Sequence, residues 1–406
     1  MTSPRAVGAL RMNAMRLLAC GEKRSQRAAQ ELASAGEWRA LLDLCARWKV
    51  LPGLETRLAA AGVALPPKER AELGGLNSRA FVQSTLSIRA GAMAVSTLER
   101  ERIPCAGFKG LATLAFLYPG PRNRTLQDVD LLVHSSDAEA AMSALEKAGF
   151  RRSFAGDWKE YLNFVKNSPG SAGNEAVSLT DERGGAVDLH WRLGTIDVET
   201  LLSDIRHVQI LGRELATIGP GHSMLLTAHH ALRNDFVPDD IARDVCDFAG
   251  WQSLLNRTGE WEAIRADAER WGLKRSCLAL ASIAAGLEDA SNTEPTLPAS
   301  RGDRSAARRL SALYFNQLAD GALNTDVVYL TSYRPLLQVM AGAASGWKQY
   351  RESMRRSEEI NEGRALPVRE RLWQLAKSAA RLTPSRWLQL RTLAKAKDDI
   401  SRGEGR

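Results

Sequence analysis

The chain has 406 residues, of which 44% are hydrophobic, 25% charged and 6% aromatic; this is the composition of a globular protein with a sizeable core and excludes a disordered, collagenous or single-module chain. Five cysteines (Cys20, Cys45, Cys105, Cys246, Cys277) are odd in number and lack Cys-x-x-Cys spacing, which argues against a disulfide framework or zinc knuckle and for a reducing compartment. The net charge of +8 is uneven: 20 Lys and Arg stand against 11 Asp and Glu between residues 301 and 406, so the basic character belongs to that tail.

Arg11 and Arg16 interrupt the first apolar stretch, which is unlike a signal peptide. The uncharged residues 335–347 fall short of the roughly 20 that a bilayer requires. The expected location is therefore the cytoplasm.

Residues 13–100 read as helical. Trp38, Leu41, Leu42, Leu44 and Cys45 recur at helical spacing, Leu54, Leu58 and Val63 continue the pattern, and Pro66-Pro67-Lys68 punctuates it. One helix is expected over 78–101, leading to Ile103-Pro104. Between 103 and 215 short β-like runs alternate with a helix. In Val129-Asp130-Leu131-Leu132-Val133, the residues Val129, Leu131 and Val133 share a strand face, and Asp128 and Asp130 project from the other. Ser136-Asp137-Ala138-Glu139 predicts a capping box for a helix that Gly149 ends. After a loop near 168–173, Gly184-Gly185 predicts a hairpin into Ala186-Val187-Asp188-Leu189-His190-Trp191, where Asp188 and His190 lie opposite Val187, Leu189 and Trp191. Helical spacing returns after Gly221, with joints expected at 286–298 and 362–367. The expected units are a helical region 1–101, an α/β core 102–215, a helical domain 216–298 packing on that core and a basic helical region 299–406.

The chemistry-bearing constellation is Lys109-Gly110, Arg124, Asp128-x-Asp130 and Asp188-x-His190. Two aspartates at i and i+2 on a strand, with a third on a strand that can lie alongside, offer hard oxygens to Mg²⁺ against a nucleotide's phosphates. Taken singly, each residue has a plainer reading: a solvated sheet face for the aspartates, a packing histidine for His190, an ion pair with an aspartate for Arg124. His229 and His230, with Asp244 and Asp247 downstream, do not make a helical metal site, because adjacent histidines point about 100° apart. No P-loop, dinucleotide fingerprint or serine-hydrolase elbow occurs.

At Ile103-Pro104, Lys109-Gly110, Arg124, Asp128 to Val133, Gly149-Phe150 and Asp188 to Trp191, the chain resembles the DNA polymerase β-like nucleotidyltransferase superfamily, and more closely a bacterial branch of uncharacterised nucleotidyltransferases. The resemblance spans residues 38–251 and implies an α+β fold, a small mixed sheet with flanking helices. It implies metal-dependent transfer of a nucleoside monophosphate from an NTP to an acceptor, with Asp128, Asp130 and Asp188 holding Mg²⁺ or Mn²⁺, Asp188 alternatively activating the acceptor hydroxyl. Lys109, Gly110, Arg124 and His190 would serve the nucleotide. Where many relatives carry Gly-Ser or Gly-Gly, this chain has Lys109-Gly110. The implied acceptors are a polysaccharide precursor, a small molecule or a peptide. In the tail, an apolar stripe (Leu372, Leu375, Ala376, Ala379, Leu382) beside Arg369, Arg371, Lys377 and Arg381, with Trp347, Trp373 and Trp387, suits peripheral contact with an anionic membrane, and no nucleic-acid reading module accompanies the charge. The competing expectation is an inactive nucleotide-fold binding module recruited through that tail.

Overall fold

Apolar residues at three- and four-residue spacing fold the first hundred residues into helices α1 (Pro4–Ala19), α2 (Glu22–Ala35), α3 (Trp38–Arg47), α4 (Leu51–Ala60) and α5 (Pro67–Arg100) in the computed structural model, which describes residues 4–118, 120–153, 174–234, 238–288 and 300–320. Helix α5 begins earlier than the expected 78. Pro67 opens it, since a proline in the first turn sacrifices no intrahelical bond, and Gly74 and Gly75 are carried inside.

Then follow β1 (Cys105–Gly107), α6 (Gly110–Leu117), β2 (Val129–Val133), α7 (Ala138–Lys147), β3 (Arg151–Arg152), β4 (Asn174–Thr180), β5 (Ala186–Leu193), α8 (Val198–Ser203), β6 (Ile205–Ile210) and β7 (Arg213–Ile218). The strands form one mixed seven-stranded sheet of order β3-β4-β5-β2-β1-β7-β6. Strands β2 and β5 run parallel at its centre, with Asp130 opposite Asp188 and Leu132 opposite His190. The chain ends its described course in α9 (Pro220–Arg233), α10 (Pro238–Thr258), α11 (Trp261–Arg270), α12 (Lys274–Glu288) and α13 (Arg301–Asp320). The architecture is the expected α+β one, and β7 continues to Ile218, past the expected core boundary at 215.

Each sheet face has its own core. Val129, Leu131, Val133, Val187, Leu189 and Trp191 pack with residues of α5 and α7, among them Ile88, Val95, Leu98, Met142 and Leu145. Gly91 permits this contact, because a Cβ there would stand 2.9 Å from both γ-carbons of Val129. On the other face Phe108, Leu132 and Ile218 join a larger core built from α1–α4 and α9–α13, including Met15, Leu41, Leu54, Phe248, Leu280 and Tyr314. Trp48 Nε1 donates to Asp239 Oδ1 at 2.7 Å, and Arg11 pairs with the same carboxylate, which ties the early helices to α10.

The hairpin expected at Gly184-Gly185 is present. The amides of Arg183 and Gly185 donate to Asp181 Oδ1 at 2.9 and 2.8 Å, Gly184 takes φ +81°, and Arg89 of α5 pairs with the Asp181 carboxylate. The turn and β5 are thereby pinned to α5.

One local expectation fails. No capping box forms at Ser136: its hydroxyl is engaged by His134 Nδ1 at 2.7 Å and by Asp137 at 3.3 Å, and the helix starts one residue later than that motif requires. Of the joint expected at 286–298, α12 covers Gly286 to Glu288, with Phe315 packed against Gly286, and the rest lies outside the described residues. The 362–367 joint, the loop at 168–173 and the tail stripe with its tryptophans lie outside the described residues. Among the described residues, no helix is long and apolar enough to cross a membrane.

His222, in the first turn of α9, bridges Asp204 at 2.6 Å and Asp267 at 3.0 Å. Burial works to lower its pKa, but the two carboxylate bonds outweigh it and hold the imidazole above its usual value. A folded value above the unfolded ~6.5 means that this bridge contributes its full stability below about pH 6.5 and loses it as pH rises through the folded value. In denaturant titrations across that window, the stability advantage of wild type over His222→Gln is expected to shrink as pH rises.

Candidate active site

The alternation of β2 and β5 sends Asp130 and Leu132, with Asp188 and His190, to the face covered by α9 and α10. One ligand atom from each of Asp130, Asp188 and His190 lies within 4.8 Å of the others. Asp128 stands one residue before β2 and outside that group, yet it lines the same cavity, of about 220 Å³, as Lys109, Gly110, Arg124, Asp130 and Asp188. The third place in the close cluster is thus held by His190 and not by Asp128.

Asp130 is the hub. Lys109 Nζ donates to its Oδ1 at 2.6 Å, and His190 Nε2 donates to the same oxygen at 3.0 Å. Burial alone would raise the Asp130 pKa, but Lys109 and His190 overcome it and hold the carboxyl well below the usual range. His190 is pushed down, first by burial and then by Lys109, so it is the neutral tautomer protonated at Nε2. It orients Asp130, not Asp188. Its ring stands edge-on to Phe108, with centroids 5.0 Å apart, and its buried Nδ1 has no hydrogen-bond partner among the described residues.

Asp128 is shifted the other way. Burial, then the charges of Asp130 and Asp188, raise its pKa against the opposing pull of Lys109 and Arg243. Among the described residues neither the Asp128 nor the Asp188 side chain makes a hydrogen bond or ion pair. Of the three motif carboxylates that share this cavity, only Asp130 has its charge met by a contact among the described residues.

Lys109 and Gly110 form the turn into α6. Lys109 takes φ +47° and ψ −114°, a conformation that suits glycine and costs a side-chain-bearing residue about 1–3 kcal/mol. The amine held on Asp130 is what this backbone delivers. Gly110 is needed for clearance, since a Cβ there would lie 2.5 Å from Leu126 Cδ1 and 3.1 Å from Arg124 Nη1.

Arg124 follows its plainer reading. Its guanidinium, 7% exposed, pairs with Asp247 of α10 at 2.8 Å and also donates to the Gly110 carbonyl at 3.3 Å. Tyr118 donates its hydroxyl to the same Asp247 at 2.8 Å. Burial opposes the charge on Arg124, but Asp247 dominates and raises its pKa. The ion pair bolts α10 to the segment leading into β2. On α9, His230 pairs with Asp244 at 2.6 Å on the cavity wall, whereas burial pushes His229 down to about 3. The two histidines serve different surroundings, as their angular separation requires.

Residues 34–287, more than half of the chain, match the family described as "Uncharacterised nucleotidyltransferase". The chain belongs to that family. The membership supports a nucleotidyltransferase-like function. No curated protein matches the chain. Among solved structures, an antigenic nucleotidyltransferase-like protein from Paracoccidioides brasiliensis aligns at 17% identity over 47% of this chain and 91% of that one, with a TM-score of 0.28, an overlay too loose to place individual residues.

In this nucleotidyltransferase-family chain, two charged cavity residues escaped sequence reasoning: Lys49, after α3, and Arg243, on α10. Neither belongs to a recognisable motif, and only tertiary packing brings them to the sheet.

Arg124→Ala would leave Asp247 buried with its charge uncompensated. It is expected to cost about 3–5 kcal/mol in urea denaturation, as removal of one partner from a buried pair does; a cost under 1 kcal/mol would remove the pair from its bolting role.

Proposed function

We propose that the chain transfers a nucleoside monophosphate from an NTP to an acceptor hydroxyl or phosphate, with release of pyrophosphate, at the cavity lined by Asp128, Asp130 and Asp188. One observation carries this reading: Asp128 and Asp188, flanking a hydrogen-bonded Asp130, face one cavity without a cationic partner in contact among the described residues. Burial, and then repulsion from Asp130 and Asp188, raises Asp128. Such an arrangement is costly unless a cation joins it.

The donor set fits a hard divalent ion. Asp128, Asp188 and the Asp130 oxygen not used by Lys109 and His190 are carboxylate oxygens, while the Nε2 of His190 is already committed to Asp130. When bound there, Mg²⁺ or Mn²⁺ would neutralise phosphate charge and acidify the acceptor hydroxyl.

The chain's own groups supply the rest. Lys109 keeps Asp130 ionised, and neutral His190 fixes its rotamer. Asp188, whose carboxylate has no donor among the described residues, either shares the cation or takes the proton that the acceptor hydroxyl loses. The first turn of α6, beginning at Gly110 on the cavity wall, offers backbone amides to phosphate oxygens. Arg124, fixed by Asp247, adds positive potential without needing to move.

The test is incubation of purified protein with each labelled NTP, Mg²⁺ and a cell extract, followed by mass spectrometry of whatever gains the label. Label transfer is expected for wild type and abolished by EDTA, with Asp188→Asn reducing it by more than about 100-fold, since even outer-sphere substitutions at metal sites cost 10–100-fold. Equal labelling by Asp188→Asn and wild type would contradict the reading.

A further inference from the structure

Once the contacts within the cavity are paired off, Lys109 with Asp130, Arg124 with Asp247 and His230 with Asp244, four charged groups on its wall remain without a contact partner among the described residues. Asp128 and Asp188 are the two anions; Lys49 and Arg243 are the two cations. A divalent ion satisfies only the carboxylates. The complement of the whole wall is an ion that carries its own anion, as a metal-bound polyphosphate does.

We infer that Lys49 and Arg243 bind the polyphosphate end of the nucleoside triphosphate, an inference that rests on the nucleotidyl-transfer reading and assigns its phosphate-binding cations. Lys109 and Arg124, the cations that the sequence motif offers for this role, are held by aspartates. Arg243 is half-buried on α10 and forms no hydrogen bond or ion pair among the described residues. Burial, then Arg124, disfavours its charge, and Asp247, Asp244 and Asp128 support it only from a distance.

Lys49 is exposed, but its placement is constrained. It occupies the position after the α3 C-cap, where its amide donates to the Ala46 carbonyl at 3.0 Å, the Val50 amide donates to the Cys45 carbonyl at 3.0 Å, and φ is +58°. Glycine ordinarily stands at this position because a Cβ is strained there. Only four non-glycine residues among those described have positive φ, and two of them, Lys49 and Lys109, line this cavity. Retaining a lysine where glycine fits better directs attention to the amine.

Position supports the same assignment. Lys49 and Arg243 also line a neighbouring cavity of about 930 Å³, so they stand where the two spaces meet. The 220 Å³ space is below the roughly 300–1,000 Å³ of ordinary small-molecule sites. A nucleoside triphosphate must therefore extend out of it, past these two side chains.

The experiment is calorimetric titration of the full chain, in Mg²⁺, with each NTP, with pyrophosphate and with the NMP of the preferred base. Arg243→Ala is expected to weaken NTP and pyrophosphate about 10- to 100-fold, the loss typical of one charge-assisted hydrogen bond, and to leave NMP nearly unchanged. Arg243→Lys should recover part of the loss. Lys49→Gly should weaken the same two ligands while the melting temperature holds or rises, because glycine relieves the backbone; a general folding defect would instead lower it. Wild-type binding of NTP with no loss in these variants overturns the cation assignment alone. Equal losses for NMP and pyrophosphate also overturn it. Absence of NTP and pyrophosphate binding by wild type overturns it together with the nucleotidyl-transfer reading.

Discussion

The parallel register of β2 and β5 is the constraint on which the site depends. With Asp130 opposite Asp188, two carboxylates distant in sequence share one sheet face, and Val129, Leu131, Val187 and Leu189 fall on the other. A slip of one residue would drive Asp188 into the core beneath α5 and α7 and expose Val187 and Leu189 in its place. The register is defended from several sides. Asp181 closes the turn before β5 and is gripped by Arg89, Gly91 lets α5 lie directly on β2, and Trp191 anchors the far end in the same core. Stability and chemistry are therefore set by the same pairing.

Within that frame the charges are sorted into two kinds. Some are locked: Arg124 with Asp247 and Lys109 with Asp130 join α6, the segment before β2 and α10 into one unit. Others on the same cavity wall, Asp128, Asp188, Lys49 and Arg243, are left open among the described residues. Burial makes an unmatched charge expensive, so the open groups are maintained by the rigidity of the locked ones. The strained backbone of Lys109 belongs to the same arrangement, since it delivers an amine to Asp130 from a turn that glycine would occupy more comfortably.

Much of this was legible in the chain. Strict alternation exposed the shared face of Asp188 and His190 and the side of β2 that carries Asp130, Gly184-Gly185 marked the hairpin, and Lys109-Gly110 marked the entry to α6; Asp128 falls one residue before the strand and outside the close cluster. These signals are local, with a period of two residues or a turn of four. What was not legible is non-local. The sequence offers no means of knowing that Arg124 would be claimed by an aspartate 123 residues away, or that His190 would bond Asp130 in preference to Asp188. Lys49 and Arg243 reach the cavity through the large core that joins the early and late helices, and neither sits in a motif. The capping box failed for a local reason that composition hides: the Ser136 hydroxyl had a nearer partner in His134.

The central claim is that the β2–β5 register builds a cation site from carboxylates. Anomalous diffraction from crystals grown with Mn²⁺ and a non-hydrolysable NTP analogue tests it most directly. The account predicts a peak in contact with oxygens of Asp130 and Asp188. A fully bound nucleotide with no peak there, and with Asp188 still lacking any partner, would contradict it.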